Sequence, residues 1–126
     1  EMNVEQRKYI RFSVHENTFA ALGSEFDKVG KVNDISIKGL TLSYLCESIK
    51  VALDRDFSQV DIFLSGNSFH LSNLHCKIVY DIQDTKSDMN NSIMKRRCGL
   101  QFCKLSQSQS ELLELFIEKY ATKSLS

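Results

Sequence analysis

Residues 31–45 read KVNDISIKGLTLSYL. Leu40, Leu42 and Tyr44 recur at every second position after Gly39, and Ile35 and Ile37 alternate with Asp34 and Ser36 before it. Alternation of period two is the mark of a half-buried strand, because successive side chains leave a strand on opposite faces. Gly39 stands where the two runs meet and lets the chain reverse. A strand, a tight turn and a second strand follow from this one stretch.

The same pattern extends outward in both directions. "YIRFSV" places Ile10, Phe12 and Val14 on one face and Tyr9, Arg11 and Ser13 on the other. "TFAAL", "QVDIFL", "FHLSNLHCKIVYDI" and "CGLQFCKL" are further strand candidates, most of them bounded by Gly, Asn, Asp or Ser. Roughly six or seven strands result, with no helical pattern convincingly interleaved, so an antiparallel barrel or sandwich is expected rather than a parallel sheet. The segment 46–58 carries a weak signal for a short helical turn. Residues 84–95, DTKSDMNNSIMK, are polar and aperiodic and predict a long exposed loop. Near the C-terminus the spacing predicts a helix over 108–122. Ser108 and Glu111 read as its capping pair, and Leu112, Leu113, Phe116, Ile117 and Tyr120 as its apolar face.

A chain of 126 residues suits one domain with a real core. Proline is absent and no linker or repeat divides the sequence, so 1–126 reads as a single unit. The opening Glu1-Met2 reads as one residue ahead of a natural start. Sixteen basic residues balance sixteen acidic ones, which excludes the global field expected of a duplex or membrane binder. No apolar run is long enough to span a bilayer and no secretory signal opens the chain, so a cytoplasmic protein without membrane insertion is expected. The four cysteines, Cys46, Cys76, Cys98 and Cys103, are too sparse for a disulfide framework, and no ligand spacing for a metal is formed. His15, His70 and His75 complete no catalytic pattern. With no nucleophile, acid–base pair or metal cluster to assemble, the chain does not read as an enzyme.

Two short stretches carry the chemistry. In "QRKYIRF", Arg7 and Arg11 stand four positions apart, each with a planar donor fork that grips phosphate oxygens or the O6/N7 edge of guanine. In "NDISIKG", Asp34 and Ser36 share a strand face. The carboxylate can accept from guanine N1–H and its exocyclic amine, the hydroxyl can meet a phosphate or base edge, and Gly39 permits close backbone approach. Taken singly, the arginines equally fit solvated charges at a strand entry, and Asp34 and Ser36 equally fit groups that satisfy turn amides.

Together, Arg7-Lys8-Tyr9-Ile10-Arg11 followed by Asp34-Ile35-Ser36-Ile37-Lys38-Gly39 resembles the RxxxR and DxSxxG elements of the PilZ family, whose domains bind the bacterial second messenger cyclic di-GMP. "CGLQFCKLSQSQSELLELFIEKY" is similar to that family's last strand and closing helix, so the resemblance spans nearly the whole chain. It implies a six-stranded antiparallel β-barrel with a C-terminal helix and a flexible N-terminal arm, residues 1–11, that folds over one outer surface when ligand binds. It further implies cyclic di-GMP as the ligand, with Arg7 and Arg11 on phosphates and guanine edges and Asp34, Ser36 and Gly39 on the guanine. No cofactor is implied beyond that ligand. Gln6, where many relatives carry a further arginine, and Lys8 are flanking candidates. Tyr80 in "KIVYDI" is the positional candidate for stacking on a guanine, although its alternation with Cys76, Ile78 and Ile82 is also that of a core residue. A protein partner is implied as the recipient of the signal. The alternatives are a PilZ-fold interaction module without nucleotide binding and a small barrel binding single-stranded nucleic acid, the latter disfavoured by neutral charge and the lack of an aromatic stripe.

Overall fold

The computed structural model describes residues 10–23, 28–47, 59–66, 69–84 and 93–124. Gln6, Arg7 and Lys8, the rest of the expected arm up to residue 9, and the expected helical turn from 48 onward lie outside the described residues.

The strands are β1 Phe12–Val14, β2 Thr18–Leu22, β3 Lys28–Ile35, β4 Gly39–Glu47, β5 Gln59–Leu64, β6 His70–Gln83, β7 Ile93–Phe102 and β8 Ala121–Ser124, with helix α1 Gln107–Tyr120 before the last. Strands β2, β5, β6, β7, β4 and β3 follow one another around a sheet that closes because β3 also pairs with β2. Every pairing is antiparallel. The expected six-stranded barrel with a C-terminal helix is therefore the architecture. Strand β3 divides one of its edges between two neighbours: Lys28–Lys31 pair with β2, and Asp34 and Ile35 pair with β1. Strands β1 and β8 thus form a short flap that leaves the ring beside the turn between β3 and β4.

Alternation fills the inside. Val32, Ile35, Leu40, Leu42, Ile62, Leu74, Cys98 and Leu100 are all buried, and Leu113, Phe116 and Ile117 of α1 join them in one cluster. Phe116 packs 5.1 Å from Phe69 and 5.4 Å from Tyr120, ring centre to ring centre.

Three sequence expectations are corrected at element ends and one on the helix face. Helix α1 is capped by Ser106, whose Oγ accepts from the Gln109 amide at 3.1 Å while Gln109 Oε1 accepts from the Ser106 amide at 3.0 Å. Ser108 lies inside the helix, because the left-handed Lys104 (φ 52°) turns the chain away from β7 early enough for extended Ser106 to be the cap. The helix also stops at Tyr120, since Ala121 is extended and enters β8 to pair with β1. Leu112 is exposed rather than part of the buried stripe. Within the expected 84–95 loop, Ile93, Met94 and Lys95 are strand, because β4 runs on to Glu47 and offers them an edge to pair with; residues 85–92 lie outside the described ones. Among the described residues, no helix is long and apolar enough to cross a membrane.

Candidate ligand site on the outer face of the barrel

The site is built by register. Ser13, Asp34, Thr41, Gly99 and Tyr80 stand directly opposite one another across β1, β3, β4, β7 and β6, in a single line over the sheet. Their strand neighbours Ile35, Leu40, Leu42, Cys98 and Leu100 are in the core, so the line faces outward.

Two β-bulges produce it. Between Val32 and Asp34 the pairing with β4 shifts by one residue, so Asp34 faces away from the core that Val32 enters. Between Ile78 and Tyr80 the pairing with β7 shifts in the same way. Ile78 stands opposite the buried Leu100, and Tyr80, two positions later, stands opposite Gly99 on the outer face. An inserted residue reverses the side-chain alternation beyond it. The core-like spacing of Tyr80 with Cys76 and Ile78 is therefore misleading: Tyr80 is 36 % exposed.

Glycines let these elements approach. A Cβ on Gly99 would lie 2.4 Å from Tyr80 Cε2, so the tyrosine ring rests against bare β7 backbone. A Cβ on Gly39 would lie 2.1 Å from the Leu100 carbonyl oxygen. The turn between β3 and β4 is closed by its own groups and tied to β7. The Ser36 amide donates to Gly39 O at 2.8 Å, Ser36 Oγ accepts from the Lys38 amide at 3.0 Å, and Lys38 O accepts from the Phe102 amide at 2.7 Å. With its oxygen serving the turn, the Ser36 hydroxyl proton is left to donate elsewhere.

A groove of about 290 Å³ lies along this line, with Arg11, Asp34 and Ser36 toward one side and Tyr80, Gly99 and Gln101 toward the other. That volume is near the lower limit for a small-molecule site. Arg11 grips Asp34 with a two-pronged ion pair: Nη2 donates to Oδ1 at 3.0 Å and Oδ2 at 3.1 Å, and Nε donates to Oδ1 at 3.3 Å. The arginine side chain is 56 % exposed and the aspartate 12 %, so solvent screens the pair and it contributes little to stability. Its importance is positional, because it holds the entry to β1 over the groove.

Of the residues singled out in the sequence, Arg11, Asp34, Ser36, Gly39 and Tyr80 come together here; Gln6, Arg7 and Lys8 lie outside the described residues. Thr41, Gly99 and Gln101 were not singled out. Alternation places Thr41 opposite Leu40 and Leu42 in facing, but only pairing brings it beside Asp34. Its Oγ1 is buried without a hydrogen-bond partner.

Away from the groove, one cluster of titratable groups ties β4, β6 and β7 together. Tyr44 donates to Asp81 Oδ2 at 2.7 Å and Arg96 Nε to Asp81 Oδ1 at 3.1 Å; burial, then the carboxylate, pushes the Tyr44 phenol well above its usual range. Burial pushes the Cys76 and Cys98 thiols up to about 12, which leaves them protonated at neutral pH. Among the described residues, no group of three His, Cys, Asp or Glu side chains is placed to hold a metal ion.

Solved structures share this fold. The PilZ domain of YcgR from Escherichia coli, solved with c-di-GMP, superposes with a TM-score of 0.66 at 14% sequence identity, over 90% of this chain and 89% of that one. A crystal structure of YcgR from Escherichia coli in complex with c-di-GMP gives a TM-score of 0.61 at 15% identity, over 90% of this chain and 45% of the other. The chain has the PilZ fold. No protein-family model matches the sequence, and no curated protein matches it.

Proposed function

We propose that this PilZ-fold chain is a cytoplasmic, non-enzymatic receptor for cyclic di-GMP that passes the signal to a protein partner. One observation carries the reading. Arg11, Asp34, Ser36, Gly39 and Tyr80, drawn from separate parts of the chain, border one outward groove, and they are the residue types a dianionic guanine ligand requires. Guanine would present N1–H and its exocyclic amine to Asp34, its face to Tyr80 and its phosphates to the arginines.

The free site suggests how binding becomes a signal. Arg11 offers Asp34 a pair of N–H donors in the arrangement that guanine also offers. The base therefore takes over the carboxylate as Arg11 gives it up, and the released fork turns to a phosphate or to O6/N7. Arg7, with Gln6 and Lys8 beside it, follows Arg11 onto the ligand, and ligand binding orders the arm against the barrel. A ligand shifts a conformation only through its differential affinity for the two states, and this exchange supplies that difference.

The test is a calorimetric titration of the purified protein with cyclic di-GMP, with GTP and cyclic di-AMP as controls and arm mobility followed by NMR. Saturable binding of cyclic di-GMP alone, with narrowing of arm motion, is expected. Absence of binding at high micromolar ligand would sink the receptor reading in favour of a protein-interaction module.

A further inference from the structure

One row of side chains away from the groove, the same outer face carries a second line. Lys31, Ser43, Arg97 and Ile82 stand opposite one another across β3, β4, β7 and β6. Val32 beside Lys31, Leu42 and Tyr44 around Ser43, and Cys98 beside Arg97 are buried, and Ile82 is itself exposed, so the row faces out. It runs parallel to the Asp34–Thr41–Gly99–Tyr80 line, about 7 Å along the strands from it.

The row is electrostatically open. Asp81 is taken by Arg96 and Tyr44, Asp34 by Arg11, and Asp84 lies 4.0 Å from Lys95. No acidic side chain among the described residues is within ion-pair distance of Lys31 or Arg97. Lys31 and Arg97 are two strands apart, about 10 Å, a gap that side chains of their length close from both sides. Between them Ser43 Oγ accepts from Asn33 Nδ2 at 2.9 Å. Having accepted that bond, the serine hydroxyl keeps its proton to donate, and Asn33 is held there by the bulge that also turns Asp34 to the groove.

We propose that Lys31, Ser43 and Arg97 form a phosphate-binding row beside the groove. Two cations and one hydroxyl donor suit a phosphodiester, and the spacing lets a nucleotide with its base in the groove place a phosphate on the row. This rests on the cyclic dinucleotide reading and adds three ligand contacts to it. It also supplies fixed barrel charge where Arg11 in the free protein is engaged by Asp34.

The experiment titrates cyclic di-GMP into wild type, Arg97→Gln, Lys31→Gln and Ser43→Ala at several salt concentrations, with Lys119→Gln on the helix as a charge control. Arg97→Gln is expected to weaken binding about tenfold, Lys31→Gln and Ser43→Ala less, and both charge removals to flatten the salt dependence. Arg97→Lys should recover the salt dependence but only part of the affinity, which separates a lost contact from a folding defect. Wild-type binding matched by all three row variants, salt dependence included, would overturn the row while leaving the receptor reading intact. Failure of wild type to bind cyclic di-GMP would overturn both.

Discussion

Arg11 and Asp34 are 23 positions apart and joined by three hydrogen bonds, and everything proposed for the groove turns on what replaces them. The guanidinium fork matters here, not charge alone, because a lysine is a point charge that cannot span two acceptor sites. Arg11→Ala is expected to weaken cyclic di-GMP binding at least about tenfold, in keeping with roughly 1–3 kcal/mol for a two-pronged contact. Arg11→Lys should recover little of that. Since the arginine end of the ion pair is open to solvent, the thermal transition of both variants should stay close to wild type by circular dichroism. Equal affinity in wild type and Arg11→Ala would remove the arginine from the site. The two motif stretches were legible as residues: their types and spacing already pointed to a guanine and a phosphate. Tyr80 was not legible, because its sequence alternation is that of a core position and only the extra residue at Val79 turns it out.

At the scale of elements, the groove depends on how closely the turn after β3 meets β7. Phe102 donates to Lys38 O at 2.7 Å, and Gly39 sits against the Leu100 carbonyl with no room for a Cβ. Gly39→Ala is therefore expected to push the β4 and β7 backbones apart and cost about 1–3 kcal/mol, visible as a lower urea midpoint. At Gly99 the obstacle is the Tyr80 ring instead. A Gly39→Ala midpoint equal to wild type would mean that the turn does not set the spacing. The strands themselves were readable from period two and the helix from its apolar stripe. Their ends were less so: the cap at Ser106 depends on where Lys104 turns the chain, and β8 exists because β1 offers Ala121–Ser124 an edge.

For the molecule as a whole, the closed barrel makes alkaline pH a stability variable. Cys76 and Cys98 lie in the common core, and burial raises both thiols from 9.0 to about 12. Their folded-state values lie above the unfolded ones, so the stability linked to keeping them neutral is complete below pH 9 and is lost as pH rises toward about 12. Urea midpoints measured at pH 7.5 and pH 10 should show this decline, and Cys98→Ala should show a shallower one. Parallel declines in the two proteins would assign the effect to other groups. The fold class was within reach of the sequence because alternation is a local property, repeated along the chain wherever one strand face is buried. The line Asp34–Thr41–Gly99–Tyr80 and the row Lys31–Ser43–Arg97 were not, because they are made by pairing register, which joins distant residues and is shifted by single-residue bulges that leave no clear mark in the pattern. The sequence by itself determined an all-β domain with a closing helix and which residue types could meet a guanine ligand. Only the tertiary structure decided which of them share a face, because the burial that closes the barrel is what selects the register.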